Sequence, residues 1–185
     1  MKQNRTLVVG LTLVAFSVLS TLVGWLWTPY DPLEMNPDVS FARPSMSHLL
    51  GTDVFGRDVL SNIMIGARST LVVALVSVLI GVVLGSVVGV ATALAPAKGR
   101  QLSVFGIDIV LALPSVLFAI VLAAVYGAST LTATIAIGIA LSAAIAQVTR
   151  RETSQVLRSD YVAAAKVSGS GTWPITRLHV LPNIL

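Results

Sequence analysis

Apolar positions along this chain come in long blocks instead of alternating with polar ones. Residues 7–27, 70–94, 102–125 and 131–148 are apolar almost throughout. Each block is close to the roughly 20 residues a helix needs to cross a hydrocarbon core of about 30 Å. Residues 6–29 and 69–97 hold no ionisable side chain. Inside lipid every backbone N–H and C=O must be bonded within its own segment, so such blocks are expected to be helices. The first block follows "MKQNR" and is longer than the roughly 7–15 residues of a signal-peptide core. The stretch "TLVGWLWTPYD" also lacks a clear small-x-small cleavage site, so an uncleaved anchor is preferred to a signal peptide. The expected fold is an all-α membrane protein, a bundle of transmembrane helices with four spans. Residues 1–27 form its N-terminal anchor, 28–69 an outer loop and 70–185 a core, whose last part, 150–185, is a polar hairpin.

Small residues mark where helices are expected to meet. Ser77, Gly81, Gly85, Gly89 and Ala93 recur every four residues and so share one helix face, where small side chains let a second backbone approach closely. Thr134, Gly138, Ser142 and Ala146 repeat the device more weakly. In "DIVLALPSVLF" Pro114 removes a backbone donor and clashes with the preceding turn, so a kink or break is expected at residues 111–114. Asp108 in the same block is expected about one turn from the inner end, shallow enough to stay hydrated or to pair with Lys98 or Arg100. A proton relay is the alternative for an intramembrane acid, but no second buried carboxylate or histidine accompanies it.

The outer loop opens with the turn-forming "TPYDPLEMNPD". Later, Gly51-Thr52-Asp53 and Gly56-Arg57-Asp58 predict tight turns ahead of a short amphipathic helix with Val59, Leu60, Ile63 and Met64 on its apolar side. On these residues alone a solvated surface loop is preferred to a functional element. In the closing hairpin, "SDYVAAAKVSGSGTWPITRLHVLPNIL", Asp160 is expected to cap a first short helix. Gly169 is expected to reverse the chain in a left-handed conformation. Thr172 is expected to cap a second helix with Pro174 in its first turn, and Pro182 to end it. Tyr161 and Trp173 are candidate apolar anchors for a partner.

Composition and charge sharpen this picture. The chain is 55% hydrophobic and 11% charged, far from the roughly 25% charged residues of soluble domains. Cysteine is absent, which excludes disulfides, thiolate metal sites and a cysteine nucleophile. The net charge of +4 invites a nucleic-acid reading until the charges are placed. With the N-terminus in the cytoplasm, Lys2, Arg5, Lys98, Arg100, Arg150, Arg151, Arg158, Lys166 and Arg177 all lie inside. Arg43, Arg57 and Arg68 lie outside among five acids, so the distribution obeys the positive-inside rule and no nucleic-acid partner is needed. His48 and His179 stand alone in sequence, so no metal site is expected. No cofactor is expected either, since "GxxxxGK[ST]" is missing and any ATP must be hydrolysed by another chain.

The hairpin resembles the "EAA" loop of ABC-importer permeases. Ala163, Ala164 and Ala165 stand at the triplet, Gly169 at its glycine, Ile175 at its isoleucine, and Leu181 and Pro182 at its end. Ala163 replaces the usual glutamate, which removes any salt bridge from that position. Together with "LGTDVFGRDVLSNIMIGARSTL" and "DIVLALPSVLFAI", the segment is similar to the dipeptide/oligopeptide/nickel class of permeases, in particular the second of the two paired membrane subunits. Phe105 departs from the arginine common there. The resemblance implies a coupling loop comprising Asp160, Tyr161, Ala163, Ala164, Ala165, Gly169, Ile175, Leu181 and Pro182 that fits a groove on an ATPase subunit. It also implies a second permease subunit, an extracytoplasmic solute-binding protein and a bacterial inner-membrane location. Members continue past "LPN" through two more spans, to about six, so this chain is expected to be truncated. A secondary transporter or channel, and a non-transporting scaffold, are the competing readings.

Overall fold

A computed structural model describes residues 2–184, with side chains from residue 5 to residue 183. The Lys2 side chain and Leu185, which enter the readings above, lie outside the described residues. The chain divides into two compact units, Met1–Val73 and Ala74–Leu185.

The first unit holds α1 (Lys2–Leu26), a loop with one short 3₁₀ turn at Pro37–Val39, and the start of α2 (Val59–Leu94). α1 meets the start of α2 at Gly24, where a Cβ would stand 3.1 Å from the Met64 carbonyl oxygen. The Arg68 guanidinium lies over the Trp25 ring, 4.4 Å from its centroid, a cation–π contact at the polar edge of an apolar helix. α2 runs for 36 residues without a break. The short amphipathic helix expected ahead of the second span is therefore the first turns of the span's own helix. Gly66 is the only weak helix former between Met64 and Thr70, and a single glycine costs about 1 kcal/mol, too little to end a helix supported on both sides.

In the second unit, α2 packs its small-residue stripe on α5 (Thr130–Val156). A Cβ on Gly85 would stand 2.6 Å from the Ser142 carbonyl oxygen, and one on Gly89 2.7 Å from that of Ala146. At Gly81 the neighbour is the Leu141 side chain, 2.9 Å away, and Gly138 on α5 faces Ile80 in return at 2.7 Å. The Ser77 hydroxyl donates to the Thr134 carbonyl at 2.9 Å, a polar tie between helices in an apolar setting. Leu75, Leu79, Val83 and Val87, two residues out of phase with the stripe and so on the opposite face, are exposed and suit a lipid environment.

The third apolar block is two helices, α3 (Ala97–Ala112) and α4 (Ser115–Tyr126), bent by 89° at Leu113 and Pro114. Leu113, forced out of the helical region by the following proline, takes φ −89° and ψ 129°. Both halves pack on α5. Among the described residues three helices are long and apolar enough to cross a membrane, or four if the bent pair counts as one span. The protein is an all-α membrane bundle.

Candidate functional site: the closing hairpin

Beyond α5 the chain turns at Leu157–Ser159 into α6 (Asp160–Val167), reverses, and continues through α7 (Thr172–Ile175), a π turn at Thr176–Val180, and α8 (Leu181–Ile184). The N-cap of α6 is Ser159, not Asp160. Asp160 is the first helical residue, where its charge opposes the positive end of the helix dipole. Likewise Gly171 precedes α7 and Thr172 lies inside it.

Pro182 does not end the second helix. The chain is helical on both sides of it because the turn before it widens to π geometry. In an α-helix the proline ring would collide with the carbonyl of residue 178, and a wider turn relieves that clash.

The reversal is a complete Schellman motif. Ser168 is the C-cap, and Gly169 follows at φ +86°. Ser170 N–H donates to the Ala165 carbonyl at 3.0 Å and Gly169 N–H to the Lys166 carbonyl at 3.0 Å. No atom lies within 4 Å of a Cβ built on Gly169, so the backbone angle alone requires glycine there.

The hairpin is held by a small apolar core of its own. Val162, Ile175 and Val180 are fully buried and pack with Ala165 against Val156 and Leu157 at the end of α5. Spacing singled out none of the three as core, although Val162 and Ala165, three apart on α6, share a face. With that face inward, Ala163 and Ala164 are exposed, as are Val167 and Lys166. Tyr161 is half-exposed and leans on His179, ring centroids 5.8 Å apart. Trp173 borders an apolar hollow of about 470 Å³ with Val87, Val90 and Leu94 of α2. The exposed side of the hairpin carries Ala163 and Ala164 beside larger groups, among them Val167, Trp173 and Leu178.

The motif at residues 51–58 is built differently. Asp53 Oδ1 accepts from Phe55 N–H at 2.8 Å and Arg57 N–H at 3.0 Å, and its Oδ2 from Arg57 Nε at 2.9 Å. Partial desolvation acts to raise the Asp53 pKa, but these bonds outweigh it and hold the carboxyl below its ordinary value. Gly51 and Gly56 have φ of +75° and +72°, and any Cβ would collide with the carbonyls of Ala42 and Asn36.

Asp58 caps α2. Its Oδ2 accepts from Ser61 N–H and from the Ser61 hydroxyl, both at 2.8 Å, and its Oδ1 lies 3.1 Å from His48 Nδ1. Burial would raise the Asp58 pKa, but the Ser61 and His48 hydrogen bonds prevail and lower it. His48, expected to be isolated, also stacks on Tyr30 at 4.7 Å, and Tyr30 N–H donates to Ser61 Oγ at 3.1 Å. Thr52 donates to the Val39 carbonyl, accepts from Ala42 N–H at 2.9 Å, and forms a one-residue antiparallel bridge with Asp58. The loop expected to be solvated is largely exposed and is at the same time hydrogen-bonded into a folded cap. Its signal in the sequence was Asp58-x-x-Ser61 directly ahead of an apolar run, a helix-start pattern.

Asp108 makes no ion pair among the described residues. It lies eleven residues into α3, three turns from the start, because the helix begins at Ala97. That puts Asp108 about 15 Å along the axis from Lys98, out of reach of a direct pair. It is exposed, at one end of a hollow of about 530 Å³ shared with Lys98, Gln101 and Phe105.

A bent α3–α4 pair, a glycine-seamed α2–α5 contact and a glycine-hinged helical hairpin after α5 make up the second unit. Residues 81–185 match the family described as binding-protein-dependent transport system inner membrane component, and the chain belongs to that family. It is 35% identical over 188 residues to the di/tripeptide transport system permease protein DppC of Pseudomonas aeruginosa (strain UCBPP-PA14), covering 98% of this chain and 62% of that protein. To the dipeptide transport system permease protein DppC of Escherichia coli (strain K12) it is 35% identical over 191 residues, 100% of this chain and 63% of the relative. The corresponding protein of Haemophilus influenzae is 30% identical over 190 residues, with 64% of its length covered. The chain thus spans a little under two thirds of the length of these relatives.

Proposed function

We propose that this chain is a membrane-spanning subunit of an ATP-driven importer that moves peptides, or a related small solute such as nickel, across the bacterial inner membrane. The reading is supported above all by the hairpin. A Schellman turn and a private apolar core make it rigid, while the alanine patch at Ala163 and Ala164 stays free, as a docking element for a separate ATPase subunit requires. Closure of the ATPases would push on α6–α8 and, through Val162 and Val156, on the end of α5. Access to the solute path would then switch by rigid-body movement of helices that share the α2–α5 seam. A second permease subunit would complete the path, a solute-binding protein would deliver the solute from outside, and ATP would be hydrolysed by the partner chain alone.

Two experiments test this. Purification in mild detergent from cells carrying the neighbouring genes should bring along an ATPase and a second permease. Recovery of the chain without either would sink the reading. For orientation, Met46→Cys and Ala128→Cys should react with a membrane-impermeant thiol reagent in intact cells and Ser170→Cys should not. Ala128 is preferable to Ser129, whose side chain accepts from Thr132 N–H at 3.1 Å and caps α5. Outside labelling at Ser170→Cys would reverse the topology.

A further inference from the structure

Four arginines line one hollow. Arg100 from α3, Arg150 and Arg151 from α5 and Arg158 from the turn after it surround a space of about 400 Å³, with Ser154 and Gln155 as its polar walls. None of the four is in an ion pair among the described residues, where the two pairs are His48–Asp58 and Arg57–Asp53. At about 100° per residue, the α5 members fall within an arc of about 140°. Thr153 and Val156 lie on the opposite side, where Val156 packs against the hairpin. Glu152, the nearest acid in sequence, also points away by this count. Four like charges around a concave site repel one another unless an anion enters it.

Depth along the bundle identifies that anion. α2 is apolar to Leu94, the chain turns at Pro96, and Arg100 is the fourth residue of α3. Arg150 and Arg151 follow Val148, the last residue of the fourth apolar block, within about 5 Å of helix rise, which is the thickness of a headgroup layer. Both helices therefore present guanidinium groups at the level where lipid phosphates lie. Guanidinium groups bind phosphate oxygens in pairs of parallel hydrogen bonds, and Ser154 and Gln155 can donate to the remainder. Basic hollows between membrane helices at this depth suit anionic headgroups.

We propose that the hollow between Arg100 and Arg158 is a binding site for the headgroup phosphate of an anionic phospholipid, which seals the inner ends of α3 and α5 together. The test is native mass spectrometry of the full chain in mild detergent, titrated with phosphatidylglycerol, with phosphatidylcholine, or with inorganic phosphate. One phosphatidylglycerol should be retained at least tenfold more tightly than phosphatidylcholine, and inorganic phosphate should not displace it. The R100Q/R150Q variant should lose that preference by roughly tenfold or more, at about a factor of five per cationic side chain near a charged surface. K98Q/K166Q, with the same loss of charge elsewhere, should keep it.

If R100Q/R150Q is not recovered from the membrane, R100K/R150K keeps the charge but not the paired hydrogen bonds, and should still lose preference severalfold. Equal loss in K98Q/K166Q would reduce the effect to net charge and overturn the site. Displacement by millimolar inorganic phosphate would overturn the lipid as its source. Undiminished lipid retention in R100Q/R150Q, with loss of a co-purifying protein instead, would assign the arginines to that protein.

Discussion

The cap at residues 51–61 and the hairpin at residues 160–184 are both connecting segments turned by glycines of positive φ, yet they use their side chains in opposite ways. In the cap, polar groups face inward. Thr52, Asp53, Arg57, Asp58 and Ser61 bond to the loop itself, and little recognition chemistry is left over. In the hairpin the inward groups are aliphatic, Val162, Ile175 and Val180, while Ala163, Ala164, Lys166, Val167 and Trp173 remain exposed. A connection that satisfies its own hydrogen bonds serves to fix a helix start. One that packs through a minimal apolar core can be rigid and still offer a face to another chain.

The sharpest way to break the comparison is at its glycines. Gly56 and Gly169 both have positive φ, but a Cβ at Gly56 would collide with the Asn36 backbone, whereas Gly169 has open space around it. Asparagine tolerates the left-handed region, so Gly169→Asn should cost less than about 1 kcal/mol. Gly56→Asn forces the backbone apart and should cost about 3 kcal/mol or more, since overpacking adds to any strain. Thermal unfolding in detergent and protease sensitivity of the loop would show it, and equal behaviour of the two variants would mean the cap is no tighter than the hairpin.

Next in size is Val162→Ala, which empties a fully buried site in a core of three residues. We expect about 2 kcal/mol, by analogy with aliphatic truncations in cores, seen as faster backbone hydrogen exchange in α6 and α7 with the rest of the chain unaffected.

Asp58→Asn tests the polar counterpart. It removes a charged cap and should cost about 1–2 kcal/mol. Since the folded pKa lies below the unfolded one, the stabilisation is complete above the unfolded value of about 3.9. It is lost as pH falls through the folded value, below 3.8. The variant should lose that acid dependence, and an acid-melting profile identical to that of the parent chain would show that the cap does not rest on the carboxylate.

The smallest stability effect should come from Ala164→Arg, on the exposed side of α6. It should stay within about 0.5 kcal/mol while association with the proposed ATPase partner, measured by pull-down, falls at least tenfold. Undiminished pull-down would remove the alanine patch from the docking surface.

Much of this was legible in the residues because it depends on local chemistry. Unbroken apolar blocks of about 20 residues can only be helices in lipid. A proline inside one of them forces the preceding residue out of helical geometry, as Leu113 shows. A glycine after an alanine-rich helix sets up a Schellman reversal whatever surrounds it. Serine and glycines at four-residue spacing mark one face of α2. What the pattern could not say is which helix lies on that face, and the structure supplies α5, with Gly85 against Ser142 and Gly89 against Ala146.

The rest was decided by contacts between segments distant in sequence. The amphipathic stretch after Asp58 merged with the second span because a cap on one side and packing on the other outweigh the weak preference of Gly66. Pro182 failed to end its helix because the preceding turn could widen. His48 found Asp58 ten residues away and Tyr30 eighteen away, and Arg100 joined three arginines some fifty residues on, pairings that no local spacing encodes. Sequence fixes the conformations that a short stretch adopts by its own sterics and solvation. Tertiary structure selects which buried polar groups meet, and that choice divides the cap that is closed on itself from the hairpin that is open to a partner.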